Sequence, residues 1–105
     1  MKYRSRATIC FSGHKHPSKI EANYCDQLRL LQKAGQIISY KCQVKFDLAV
    51  NGKLICQHIV DFLVMTDKGE EVHEAKGFAT RDWKLKRKLF KVLYPQIKYY
   101  VITGR

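Results

Sequence analysis

Apolar and polar residues change their period several times along the chain, and each change predicts an element. From Ser18 to Ala34, Ile20, Tyr24, Leu28 and Leu31 recur at steps of three and four, which predicts an amphipathic helix. Ser18-Lys19-Ile20-Glu21 has the form of a capping box at its start, and Gly35 is a stop at its end. From Ile37 to Leu48 the period falls to two. Val44, Phe46 and Leu48 alternate with Lys45 and Asp47, the mark of a half-buried strand, with a break expected near Lys41-Cys42. Asn51-Gly52 predicts a hairpin turn into a long second strand, Lys53 to Thr66, with a bend or bulge near Gln57-His58. Asp67-Lys68-Gly69 turns the chain into a third strand, Glu71 to Lys76, and Gly77 lets it leave the sheet. Thr80 or Asp82 caps a second helix running to about Leu93, with Trp83, Leu85, Leu89, Phe90, Val92 and Leu93 on its apolar side and Pro95 ending it. Lys98 to Thr103 reads as a last, buried strand. The crossover helix before it permits a parallel pairing.

The pattern describes one mixed α/β domain with no internal repeat, low-complexity segment or linker. A chain of 105 residues with 46% hydrophobic content suffices for one modest core. Charge narrows the partners. Lys and Arg total 20 against 9 acids, a net charge of +11, which points to a polyanion and most simply to nucleic acid. The segment 1–17 is basic and acid-free, either an arm against DNA phosphates or a solvated tail. No apolar run is long enough to cross a membrane, and no apolar core follows the basic N-terminus as in a secretory signal. Cys10, Cys25, Cys42 and Cys56 form no C-x-x-C pair and read as reduced thiols in a cytoplasmic protein. Cys10, His14, His16 and Cys25 are suitable residue types for zinc, but their spacing matches no common structural zinc pattern.

The chemistry concentrates in the second and third strands. Asp61 interrupts Ile59-Val60-Asp61-Phe62-Leu63-Val64, where a lone buried carboxylate needs a partner, a metal or a cleft. Glu74 and Lys76 are two apart, a spacing that shares one face of a strand. Two carboxylates and an ammonium converging from neighbouring strands suit hydrolysis assisted by a divalent cation. The plainer alternative is an ordinary cross-strand charge pattern, with Asp61 paired to Lys76 and Glu21 serving only as a cap.

Taken in order, these residues resemble the PD-(D/E)XK nuclease superfamily. The match rests on an αβββαβ order with Ser18-Lys19-Ile20-Glu21 on the first helix, Asp61-Phe62 in the second strand and Glu74-Ala75-Lys76-Gly77 in the third, followed by Thr80 and a basic helix. It runs from about Ser18 to Thr103 and is closest to small phage-type endodeoxyribonucleases and Holliday-junction resolvases. Val60 stands before Asp61 where the family pattern has proline.

The resemblance implies a restriction-endonuclease-like core (18–103) and metal-dependent cleavage of DNA. It implies Asp61, Glu74 and the backbone carbonyl of Ala75 as ligands of Mg²⁺, with Mn²⁺ as a substitute. Lys76 would polarise the attacking water, and Glu21 would complete the cluster directly or through water. Gln43 is a possible accessory residue reaching the metal's waters. Candidate DNA contacts are Arg4, Arg6, Lys15, Lys19, Thr80, Lys84, Arg87, Lys88 and Lys91; the last four recur along one face of the second helix. Such contacts position DNA without reading its sequence, which favours structure-selective cleavage of branched DNA. Two symmetric cuts would require a homodimer, with Tyr99-Tyr100 or the first helix as its interface. No small-molecule organic cofactor is implied. The competing readings are a basic DNA-binding module without chemistry, and a nuclease subunit that cuts only with a partner.

Overall fold

The helical period after Ser18 produces α1, Lys19–Lys33. Ser18 caps it, its Oγ accepting from the Glu21 backbone N–H at 3.2 Å. Past the C-cap Ala34, Gly35 takes φ +78, and the Gln36 N–H returns to the Leu31 carbonyl at 2.9 Å. The alternating stretch forms β3, Ser39–Val50, and β4, Lys53–Thr66. Asn51 and Gly52 join them with φ +52 and +77, the paired positive values that a tight hairpin turn demands. Next come β5, Gly69–Ala75, α2, Arg81–Leu93, capped by Thr80, and β6, Lys98–Ile102. The computed structural model describes residues 8–10, 13–16, 18–75 and 79–102.

The four strands form one mixed sheet in the order β3-β4-β5-β6, antiparallel except for the parallel β5–β6 pair. The core therefore has the αβββαβ order expected from the sequence. Before it lies a feature the hydrophobic pattern does not announce. A small antiparallel hairpin pairs β1 (Thr8–Ile9) with β2 (Lys15–His16) and packs on α1.

The helices serve separate cores. On one side, α1 packs Ala22, Cys25 and Leu28 against Phe62, Val64 and Ala75. On the other, α2 packs Phe90 against Leu48, Val60 and Val72. Val60 and Phe62, two residues apart on β4, thus belong to different cores, as do Val44 and Cys42 opposite them on β3. Regular alternation would keep each pair on one face. Both strands change phase together, at Gln43 and Asp61, and Gln43 takes the left-handed φ of +55. The register holds across the change, with Cys42↔Phe62 and Val44↔Val60 on either side.

Four expectations are corrected. The bulge in β4 falls at Ile55, where the register shifts opposite Leu48 and Ala49, rather than at Gln57-His58. β6 is not a buried strand: it closes the sheet as an edge, with Tyr100 43% and Val101 38% exposed. Leu85 and Val92 lie on the open side of α2, because the packed stripe runs through Leu89, Phe90 and Leu93. Leu31 is likewise exposed on α1.

The Ser18 cap makes a direct prediction. Ser18→Ala should cost about 1 kcal/mol, a fall in melting temperature of about 4–8 °C. Ser18→Asp should hold the wild-type value, because a carboxylate also accepts at a helix N-terminus. Thermal unfolding followed by circular dichroism checks both, and an unchanged melting temperature for Ser18→Ala would remove the cap from the account.

Candidate functional site

Three acids expected to cluster are all buried: Glu21 at 2%, Asp61 at 7% and Glu74 at 0% exposure. A carboxylate survives such burial only with good donors around it. Each is supplied differently.

Glu21 lies in the first turn of α1, where a capping box would turn its carboxylate back to the helix start. Its backbone N–H serves the Ser18 cap, but its side chain goes elsewhere. Oε2 lies 2.7 Å from His16 Nδ1 and accepts from Gln43 Nε2 at 2.6 Å. The hairpin strand β2 supplies the histidine and the phase change in β3 supplies the amide. Glu21 is thus the point where three elements meet. Gln43, expected as an accessory to a metal's water shell, acts as a donor to this carboxylate.

Asp61 sits at the phase change in β4. The β4–β5 ladder ends at Phe62↔His73, one step before Asp61 and Glu74 would stand opposite each other. A side chain continues the link between strands: Asp61 Oδ2 accepts the Ala75 backbone N–H at 2.9 Å. Burial above all raises the Cys42 thiol and the Tyr99 phenol, and the Asp61 carboxylate adds a small push to each.

Glu74 ends a chain of hydrogen bonds. Tyr99 OH donates to its Oε1 at 2.7 Å, and His58 Nε2 lies 2.8 Å from the same hydroxyl and 3.5 Å from Oε1. A phenol has one proton, so His58 Nε2–H donates to Tyr99, which donates to Glu74. Burial and then the Glu74 carboxylate push the Tyr99 phenol up, which keeps it a neutral donor. Stacked on Tyr99, the His58 ring is 2% exposed. His58 and Tyr99, neither of which the motif pattern singles out for chemistry, therefore both support the Glu74 carboxylate. A signal for His58 existed: it continues the buried alternation Cys56, His58, Val60 while Gln57 and Ile59 stay exposed. His73 faces the other side of β5, bonded to Tyr24 OH and to Glu71 Oε1.

Asp61 and Glu74 thus stand on adjacent strands as buried oxygen donors. That donor chemistry fits a hard divalent cation, which would also offset the charge of two buried carboxylates. Lys76, the third member of the expected motif, lies outside the described residues, as do Arg4 and Arg6; β2 contains Lys15, of whose side chain nothing is described.

The basic helix is sorted by the fold. Lys84, Lys88 and Lys91 are exposed on α2, and Lys19 is exposed at the start of α1. Arg87 departs from that face. Its guanidinium lies 5.3 Å from the Tyr99 ring centroid and 5.9 Å from that of Trp83, packed towards the Glu74 chain. Thr80 uses its Oγ1 to accept from the Trp83 backbone N–H at 3.1 Å. An open groove of about 430 Å³ runs past His58, Ile59, Thr80, Trp83 and Lys86, beside the Tyr99–Glu74 pair.

Tyr99→Phe isolates the hydroxyl. The ring keeps its packing on Phe90, while Glu74 loses a donor and His58 an acceptor. We expect a loss of about 1–3 kcal/mol, read by denaturant unfolding, and no loss would show that the hydroxyl does not support Glu74.

A search of curated proteins finds no match. Comparison with protein families matches residues 1–104, nearly the whole chain, to the family described as "Protein of unknown function (DUF1064)". The chain belongs to that family.

Proposed function

We propose that this chain is a metal-dependent endodeoxyribonuclease of the PD-(D/E)XK type that hydrolyses DNA phosphodiester bonds, acting on branched DNA as a phage-type resolvase does. The observation that carries the reading is the pairing of Asp61 with Ala75. It sets an aspartate of the second core strand against the Glu-x-Lys segment of the third, with Glu74 buried alongside.

Asp61, Glu74 and the Ala75 carbonyl would hold Mg²⁺, or Mn²⁺ in its place. When bound, that cation supplies Lewis acidity at the phosphate and a more acidic water. The chain's own groups then have distinct tasks. The Ala75 N–H fixes the Asp61 carboxylate. His58 and Tyr99 fix Glu74, so neither acid pays the cost of reorienting when substrate enters. Glu21, held by His16 and Gln43 on the α1 side, would join these acids directly or through water. Lys76 is assigned the attacking water and part of the phosphate charge by its place in the motif. Lys84, Lys88 and Lys91 would follow the DNA backbone, and the groove beside His58 would receive the strand to be cut.

Two symmetric cuts in a junction would call for a homodimer, and the exposed edge at Tyr100 and Val101 is the interface this reading favours. The setting would be the cytoplasm. Among the described residues, no helix is long and apolar enough to cross a membrane.

The test is cleavage of a labelled four-way junction beside linear duplex and single strand, in Mg²⁺ and in EDTA. Paired nicks in the junction alone, lost in EDTA and in Asp61→Asn and Glu74→Gln with binding retained, are expected. Cutting of every substrate would keep the nuclease and remove junction selectivity. The exposed lysines of α2 favour one second reading, a DNA-binding module without chemistry; tight binding with no metal-dependent product would establish it.

DNA binding has its own expectation. Lys84→Ala, Lys88→Ala and Lys91→Ala should each weaken binding regardless of sequence and lower the slope of log K against log salt by about 1. Unchanged slopes, measured by fluorescence anisotropy, would place the DNA on another surface.

A further inference from the structure

The N-terminal hairpin presents chemistry that the nuclease reading does not use. A tight turn draws Cys10 and His14 together, with the Cys10 N–H on the His14 carbonyl at 3.0 Å and the Gly13 N–H on the Cys10 carbonyl at 2.9 Å. His16 follows at the end of β2, and α1 brings Cys25 beneath the hairpin. One donor atom from each of Cys10, His14, His16 and Cys25 lies within 4.8 Å of the other three.

The separations are those of ligands around one small ion. Tetrahedral bonding at ordinary zinc–sulfur and zinc–nitrogen lengths sets sulfur atoms about 3.8 Å apart and nitrogen about 3.6 Å from sulfur. Cys10 Sγ is 3.3 Å from Cys25 Sγ, and His14 Nδ1 is 3.4 Å from Cys25 Sγ. The sulfur pair is too far apart for a disulfide and none is present.

His16 supplies the independent observation. It is 1% exposed, and its Nε2 is buried with no hydrogen-bond partner among the described residues. Its Nδ1 faces the Glu21 carboxylate at 2.7 Å. That contact holds the proton on Nδ1 and leaves the buried Nε2 lone pair available to a metal, the arrangement of a carboxylate-supported metal ligand. A core of packed thiols gives no reason for two imidazoles to converge here.

We propose that Cys10, His14, His16 and Cys25 bind a structural Zn²⁺ ion that fastens the N-terminal hairpin to α1. Two thiolates cancel the charge of the ion, so the closed centre can be buried. Its soft sulfur and nitrogen donors keep it apart from the oxygen donors Asp61 and Glu74. Glu21 becomes a positioning residue for the zinc ligand His16 whether or not DNA is cut. Cys42 Sγ, 3.9 Å from Cys25 Sγ and 3.6 Å from His14 Nδ1, borders the centre and is not required by it.

The experiment is metal analysis of the full chain purified reduced and without chelator, with Co²⁺ substitution as the optical probe. One zinc per chain is expected, with tetrahedral ligand-field bands and thiolate charge transfer in the cobalt form. Cys25→Ser and His14→Asn should lose the metal, whereas Cys42→Ser, Cys56→Ser and Glu74→Gln should keep it. Glu21→Gln should weaken zinc affinity about 10–100-fold. Chelation should lower the melting temperature of wild type. Wild-type spectra keep the test open if a ligand variant fails to fold. A folded, reduced wild-type chain with no zinc and no cobalt bands would overturn the proposal. So would a Cys10–Cys25 disulfide in its place, or zinc lost in Glu74→Gln and kept in Cys25→Ser.

Discussion

One sheet here has to cover two helices on opposite sides, and the change of face at Gln43 and Asp61 is what allows it. Before the change, Tyr40 and Cys42 on β3 pack towards α1; after it, Val44, Phe46 and Leu48 pack towards α2. A residue other than glycine in the left-handed region costs of order 1 kcal/mol or more, and such outliers persist only where the surroundings determine them strongly. Gln43 meets that condition, because its side chain is fixed on the Glu21 carboxylate. The two polar residues at the turning point therefore tie the architecture to the buried acids.

Three buried acids are tolerated through three kinds of donor. Glu21 has an imidazole and an amide, Asp61 a main-chain N–H, and Glu74 a phenol backed by a histidine. The differences matter chemically. The donors on Glu21 come from a hairpin and a strand near the Cys10 and Cys25 thiols, while those on Glu74 come from the sheet beneath α2. The thiol and imidazole groups near Glu21 and the hydroxyl and imidazole around Glu74 thus lie on opposite sides of the sheet.

Much of this was legible in the sequence, for identifiable reasons. Helical spacing located α1 and α2, Asn51-Gly52 fixed the β3–β4 register, and burial of Asp61 followed from its apolar flanks. The Glu21 side chain was misread because Ser-x-x-Glu looks the same whether or not the carboxylate turns back. The change of face was invisible because the apolar positions from Tyr40 to Leu48 stay even-numbered through β3 while those of β4 fall on both parities; only tertiary packing decides which helix they meet. Two-residue strands carry no period, so of the β1–β2 hairpin only the short apolar piece around Thr8-Ile9-Cys10 was readable as extended, and its convergence on Cys25 left no trace beyond the residue types. β6 was read as buried from Tyr99-Tyr100-Val101-Ile102, yet only one neighbour flanks it, so half of that apolar run faces outwards.

Sequence distance between Tyr99 and Glu74 has a consequence for synthesis. The phenol that supports Glu74 arrives on the last strand of the sheet, 25 residues after the acid it serves. While a ribosome is still making α2, β4 and β5 can pair, but Glu74 has no hydroxyl beside it and its charge cannot be buried cheaply. Closing the sheet with a parallel strand also waits on the crossover helix. The acidic centre is consequently assembled late, and a nascent chain carries its hairpin and first helix well before it carries a finished site.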